Sequence, residues 1–113
     1  MSSYQKLIVW QKSIELCILI YQITEKYPKT EMYGLTIQTR KCSVSIPSNI
    51  AEGQRRRHKQ EFHQFLRIAY GSGGELETQL IIALKISYLK QTDFEKANNL
   101  LQEIMRMLNK MIN

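Results

Sequence analysis

Residues 45–59 read Ser-Ile-Pro-Ser-Asn-Ile-Ala-Glu-Gly-Gln-Arg-Arg-Arg-His-Lys, a run that joins a proline, a glycine and the densest positive charge of the chain. A helical pattern of apolar residues leads into it. Pro47 has no N–H to donate and its ring presses on the carbonyl of Ser43, so the run predicts a kinked second helix. Ser43, Ser45, Ser48 and Asn49 are short polar side chains able to bond the backbone groups freed at such a kink. Gly53 suits the left-handed residue that ends a helix. Arg55, Arg56, Arg57 and Lys59 then follow, where the carbonyl end of a helix attracts cations. Two readings of this basic run stand side by side: a capped helix end with solvated arginines, and a patch that grips nucleic acid.

The surrounding chain has 113 residues, the size of one domain with one core, so residues 1–113 are taken as a single domain. Its 16 Lys and Arg outweigh 10 Asp and Glu, giving +6 and a pI near 9.4, a balance that points to an anionic partner. Seven of the basic residues (Arg40, Lys41, Arg55, Arg56, Arg57, Lys59 and Arg67) lie with two acids, Glu52 and Glu61, between positions 40 and 67, so this window carries +5 of the +6. Cys17 and Cys42 sit in apolar periodic segments with no CxxC or Cys/His spacing. They read as small buried thiols, not as zinc ligands or a disulfide. Lys6, Lys12 and Glu15 interrupt the N-terminal apolar residues, which is wrong for a signal peptide. The longest apolar run, Leu16 to Tyr21, is far short of a membrane span, and the expectation is a cytoplasmic protein.

From about Leu7 to Tyr27 the residues Trp10, Ile14, Cys17 and Tyr21 recur at helical spacing, while Val9, Leu16, Leu19, Ile20 and Ile23 fall on the other side of the same helix. A helix apolar on both sides is buried on both sides. Thr30 can cap a second helix running to Glu52, with Leu35, Cys42, Ile46 and Ile50 on one stripe and Ile37, Val44 and Ala51 roughly opposite. A lone bundle needs one stripe per helix, so Ile37, Val44 and Ala51 are assigned to an oligomer interface. The third helix, about Lys59 to Leu89, aligns Phe62, Phe65, Leu66, Ala69, Leu76, Leu80, Ala83 and Ser87. Its Gly71-Ser-Gly-Gly74 centre weakens it, so this turn either bends or allows another backbone to come close, close helix packing being the favoured reading. Thr92 with Glu95, or Asp93 one residue on, caps a fourth helix in which Phe94, Ala97, Leu101, Ile104, Leu108 and Met111 keep the spacing. Four helices on short connections make an up-down antiparallel bundle.

Catalytic chemistry finds no foothold in these residues. A di-iron bundle needs Glu-x-x-His on two helices, and none occurs. His58 and His63, the only histidines, flank the basic run and read as solvent-facing. No serine or cysteine stands in a nucleophile context, so no enzyme activity, metal or cofactor is expected. Glu52 precedes Arg56 by four residues and would pair with it if the helix continued; a stop at Gly53 would give Glu52 a structural role instead.

Five segments together carry a resemblance: Val-Trp-Gln-Lys (9–12), Tyr-Gly-Leu-Thr-x-Gln (33–38), Ser-Ile-Pro-Ser-Asn-Ile-Ala-Glu-Gly (45–53), Glu-Phe-x-x-Phe-Leu-x-Ile-Ala (61–69) and Gly-Ser-x-x-Glu-Leu-Glu-Thr-Gln (71–79). They resemble the bacterial four-helix bundle proteins encoded in intervening sequences of 23S ribosomal RNA genes, also called S23 ribosomal proteins. The accessory variability determinant of diversity-generating retroelements is a related member. Gly34, Pro47, Asn49, Glu52 and Gly53 are the matching signature positions, and Gly73 stands where the family usually has leucine. The resemblance implies a ring, a pentamer, around a basic channel, with a role in binding RNA or DNA. The leading expectation is therefore a non-enzymatic, nucleic-acid-binding homo-oligomer whose phosphate contacts come from Arg40, Lys41, Arg55, Arg56, Arg57, Lys59 and Arg67. The alternative is a protein-interaction scaffold, such as an accessory subunit of a reverse transcriptase, with its basic face on an acidic partner.

Overall fold

The computed structural model describes residues 3–113. A short 3-10 turn, Tyr4–Lys6, leads into α1 (Ile8–Thr24), and a second, Lys29–Glu31, leads into α2 (Leu35–Arg56); α3 (Lys59–Lys85) and α4 (Gln91–Ile112) follow. Each helix packs on its neighbours in sequence and α4 closes back on α1, so the four form an all-α, up-down bundle 43 Å long. The α2–α3 pair is the most extensive of these contacts.

One face of every helix meets in a single core. Leu16 and Ile20 of α1, Ile46 and Ile50 of α2, Leu66, Leu76 and Leu80 of α3, and Leu101, Ile104 and Leu108 of α4 are fully buried. Each such side chain contributes about 1.5–3 kcal/mol of burial. The stripe expected on α4 is the one observed, with Ala97 buried and Phe94 and Met111 at its margins. The second side of α1 is only partly covered: Cys17 is buried and Trp10 lies against the core, but Tyr21 is exposed, its ring covered on one face by the Arg40 guanidinium.

α2 departs from the sequence expectation at both ends. Thr30 belongs to the 3-10 turn and caps nothing; the helix starts after Gly34, where the Glu31 carboxylate accepts the Leu35 N–H at 3.0 Å. A Cβ on Gly34 would stand 2.7 Å from that carboxylate oxygen, which explains the glycine as room for a capping side chain. The other carboxylate oxygen accepts from the Tyr88 hydroxyl at 3.0 Å, tying the start of α2 to the α3–α4 connection. At the far end Gly53 does not stop the helix. It is buried in helical conformation against α3, where a Cβ would meet the Phe65 Cβ at 2.7 Å and the Phe62 backbone oxygen at 3.3 Å. The stop comes at Arg57, which adopts the left-handed conformation, φ 64°.

Pro47 lies buried inside a continuous α2. Its missing N–H would have bonded the Ser43 carbonyl, and the Cys17 thiol of α1 donates to that oxygen instead, at 3.1 Å. On the opposite flank the Cys42 thiol donates to the Ser72 carbonyl of α3 at 3.1 Å, and the Ser45 and Ser72 hydroxyls share a short hydrogen bond. Asn49 donates to the Ser45 carbonyl at 2.7 Å and Ser43 to the Arg40 carbonyl at 2.8 Å, so three of the four polar residues around the proline are spent on backbone or on the neighbouring helix.

α3 is unbroken through Gly71-Ser-Gly-Gly74. Gly73 faces the core, and a Cβ there would overlap the Met105 sulfur, so the long methionine of α4 occupies the space that a larger residue at 73 would take. Gly71 and Gly74 face open space. α3 ends at Lys85, earlier than expected. Ser87 takes the left-handed position (φ 68°), with Tyr88 N–H on the Ala83 carbonyl and Ser87 N–H on the Leu84 carbonyl, the Schellman pattern. α4 begins at Gln91 after Lys90, with no side-chain cap from Thr92 or Asp93.

Candidate nucleic-acid interface

The two-residue connection Arg57–His58 brings the carbonyl end of α2 and the amide end of α3 side by side. Beside it the 3-10 turn Tyr4–Lys6 packs against α2, held by the Ser3 hydroxyl, which accepts the Gln5 N–H at 3.2 Å. The three segments surround a cleft of about 610 Å3 lined by Arg55, Arg57, His58 and Lys59 together with Tyr4 and Phe62. α3 has no side-chain cap at His58, so its first-turn amides add their partial positive charge at this end.

The seven basic residues singled out in the sequence divide here. Arg55, Arg57 and Lys59 share the cleft. Arg56 points elsewhere: its guanidinium pairs with Glu52 at 3.0 Å, approaches Glu61 at 3.9 Å and lies 5.2 Å above the Phe65 ring. The continuous helix makes the Glu52–Arg56 pair possible, correcting the expectation that a stop at Gly53 would prevent it. Arg40 is held against α1. Its Nε donates to Thr24 Oγ1 at 2.8 Å, its Nη2 meets Glu25 at 3.1 Å, and 22% of its side chain is exposed. Lys41 and Arg67 are exposed partway along α2 and α3, away from the cleft.

Tyr4 was not legible as a site residue. It lies outside every periodic stripe, and only the tertiary fold puts its ring beside Arg55, whose guanidinium sits 5.9 Å from the ring centroid. Trp10 meets the same ring edge-on at 5.3 Å. Of the expected interface residues, Ile37 and Val44 are 37% and 39% exposed, while Ala51 is half-buried. Ile68 and Ile82 of α3, Ile86 just after it and Ile18 of α1 are also exposed. Among the described residues no group of three or more His, Cys, Asp or Glu is placed to hold a metal ion, and no helix is long and apolar enough to cross a membrane.

A family model described as 23S rRNA-intervening sequence protein matches residues 5–110. A crystal structure from Bacteroides thetaiotaomicron VPI-5482, described as a protein with unknown function from the S23 ribosomal protein family, superposes with a TM-score of 0.84 at 25% identity. The match covers 94% of this chain and 99% of that one. No curated protein matches the chain.

Proposed function

The chain belongs to the 23S rRNA-intervening sequence protein family, and from there we propose that it is a non-enzymatic nucleic-acid-binding protein that grips phosphates at the α2–α3 end of its bundle. The observation that supports this is the convergence of Arg55, Arg57 and Lys59 on one cleft. Cations lining one cleft raise its positive potential and draw anions into it. Lys41 and Arg67 extend the positive surface along the two helices, whereas Arg40 and Arg56 chiefly serve the fold. Phosphate contacts of this kind position nucleic acid without reading its sequence.

The chain acts as a homo-oligomer in this reading. Ile37 and Val44 on α2, with Ile68 and Ile82 on α3, leave apolar surface in water that a second copy would cover. A pentameric ring in the cytoplasm is part of the proposal, supported by the family resemblance and the composition alone. The same exposed surface supports the second reading, a scaffold for another protein.

A salt series on purified protein tests the proposal. Each phosphate neutralised on a single strand adds about 0.7 to the log–log slope, so three cleft cations give roughly −2 per subunit engaged. The triple substitution Arg55→Gln, Arg57→Gln and Lys59→Gln should flatten the slope and weaken binding to unrelated sequences alike. Lys41→Gln with Arg67→Gln should have the smaller effect. Parent protein that binds neither RNA nor DNA at low salt would leave the scaffold reading in its place. Light scattering reads the assembly: a stable 13.3 kDa particle at micromolar concentration would exclude the oligomer.

A further inference from the structure

We propose, resting on the nucleic-acid reading above, that the cleft accepts one unpaired nucleotide, its phosphate against Arg57 and Lys59 and its base stacked on Tyr4 beside Arg55. The chain then prefers single strands to duplex.

The cations explain attraction to any polyphosphate. They do not explain why an aromatic ring shares their cleft. Tyr4 lines it together with Arg55, Arg57 and Lys59, with its backbone held in the 3-10 turn and its ring in contact with Trp10 and Arg55. Its own backbone carbonyl accepts the Leu7 N–H at 3.0 Å, closing the 3-10 turn, and Trp10 meets the ring edge-on at 65°. The Arg55 guanidinium lies over one face of the ring, 5.9 Å from its centroid, so an incoming base takes the other face of the ring or the outer plane of the guanidinium. A ring fixed before binding loses little freedom when a base stacks on it. Aromatic and guanidinium planes are the surfaces on which single-strand binders stack successive bases, and such stacking tolerates any base because each has a π-face.

Size and access select the same ligand. A cleft of about 610 Å3 falls within the roughly 300–1,000 Å3 range that holds small ligands, enough for one nucleotide. In a duplex the faces of the bases are stacked on each other and cannot reach a ring inside such a cleft, whereas an unpaired nucleotide can turn its base in. A simple anion site would use the cations alone, with Tyr4 serving only to pack against Trp10 and Arg55. Duplex can still touch the outer cations through its phosphates, which gives weaker binding that does not depend on Tyr4.

The experiment compares three probes of equal length at fixed low salt: oligothymidylate, the matching DNA duplex, and a strand of abasic sites that keeps the phosphates. Intact protein should bind oligothymidylate about tenfold more tightly than the abasic strand, the size of one base–aromatic stack. Tyr4→Leu, which keeps apolar bulk against Trp10, should remove that preference by bringing the thymidylate strand down to the affinity of the abasic strand; Tyr4→Phe should retain it. Far-UV circular dichroism and the emission of Trp10, the sole tryptophan, report whether each variant is folded. Equal binding of the abasic and thymidylate strands by the parent protein overturns the stacking proposal without recourse to any variant. An equal loss of single-strand and duplex affinity in Tyr4→Leu overturns it too. Binding to none of the probes removes the nucleic-acid reading itself, while salt-sensitive binding indifferent to bases removes only this inference.

Discussion

Arg57 holds a left-handed backbone that costs an L-residue roughly 1–2 kcal/mol, and a glycine would hold it without that cost. Ser87 is in the same position after α3. Glycine at either site should therefore stabilise the protein by about 1 kcal/mol, seen as a raised urea midpoint. The two variants should part in binding: Arg57→Gly removes a cleft cation and weakens nucleic-acid binding, whereas Ser87→Gly leaves it intact. A loss of stability in Arg57→Gly would show that the arginine's contacts outweigh its backbone strain. Two glycines inside helices, Gly53 and Gly71, differ in what they face. Gly53→Ala pushes against the backbone and Cβ of α3 and should cost roughly 1–3 kcal/mol. Gly71→Ala meets open space and should gain up to about 1 kcal/mol in helix propensity, unless a second copy packs there. Measuring Gly71→Ala above and below the assembly concentration distinguishes the two cases.

α2 is the element in which the sequence was most informative and most misleading. Its core stripe, its proline and its surrounding small polar residues were all readable, because hydrophobic spacing and the missing N–H are local properties. Its end was not. Gly53 has the composition of a helix stop, yet the same missing Cβ serves close packing on Phe62 and Phe65, and only the partner helix decides which use applies. The caps at Thr30, Thr92 and Asp93 failed for a related reason: Glu31 and the connection geometry satisfied or displaced those ends. The bond from Cys17 to the Ser43 carbonyl gives a test specific to this helix. Cys17→Ala leaves that buried oxygen unsatisfied, at a cost on the order of 1 kcal/mol, but Pro47→Ala restores the N–H that fills it. A double-mutant cycle should show Cys17→Ala costing less in the Pro47→Ala background, by about 0.5–1 kcal/mol. Strict additivity would mean that the thiol does not stand in for the missing donor.

The bundle as a whole was legible because four apolar stripes and three short connections leave few ways to close a core. The cleft was half legible: the charge run showed in the composition, and spacing joins Glu52 to Arg56, but the rest of its division into cleft cations and fold-holding arginines depends on Thr24, Glu25 and Glu61, which no spacing rule joins to their arginines. A consequence of the buried core appears at high pH. Burial holds the Tyr27 hydroxyl at about 12 against an ordinary 10.0. Burial, with the nearby Glu75 carboxylate, holds the Cys42 thiol at about 12 against 9.0. Both groups ionise more readily in the unfolded chain, so their stability contribution is complete below about pH 9 and is lost as pH rises towards 12. The urea midpoint should fall steadily above pH 9, and Cys42→Ala should delay the onset; a midpoint flat to pH 11 would contradict the assignment.

The two thiols also stand on different seams, Cys17 between α1 and α2 and Cys42 between α2 and α3, each bonded to a carbonyl across its seam. Neither can meet a disulfide reagent in solution until its own seam parts. Their labelling rates are therefore two clocks within one molecule. Equal rates would mean that the helices separate together, and a faster Cys17 would mean that α1 peels away while the tighter α2–α3 hairpin, and the cleft at its tip, stays closed.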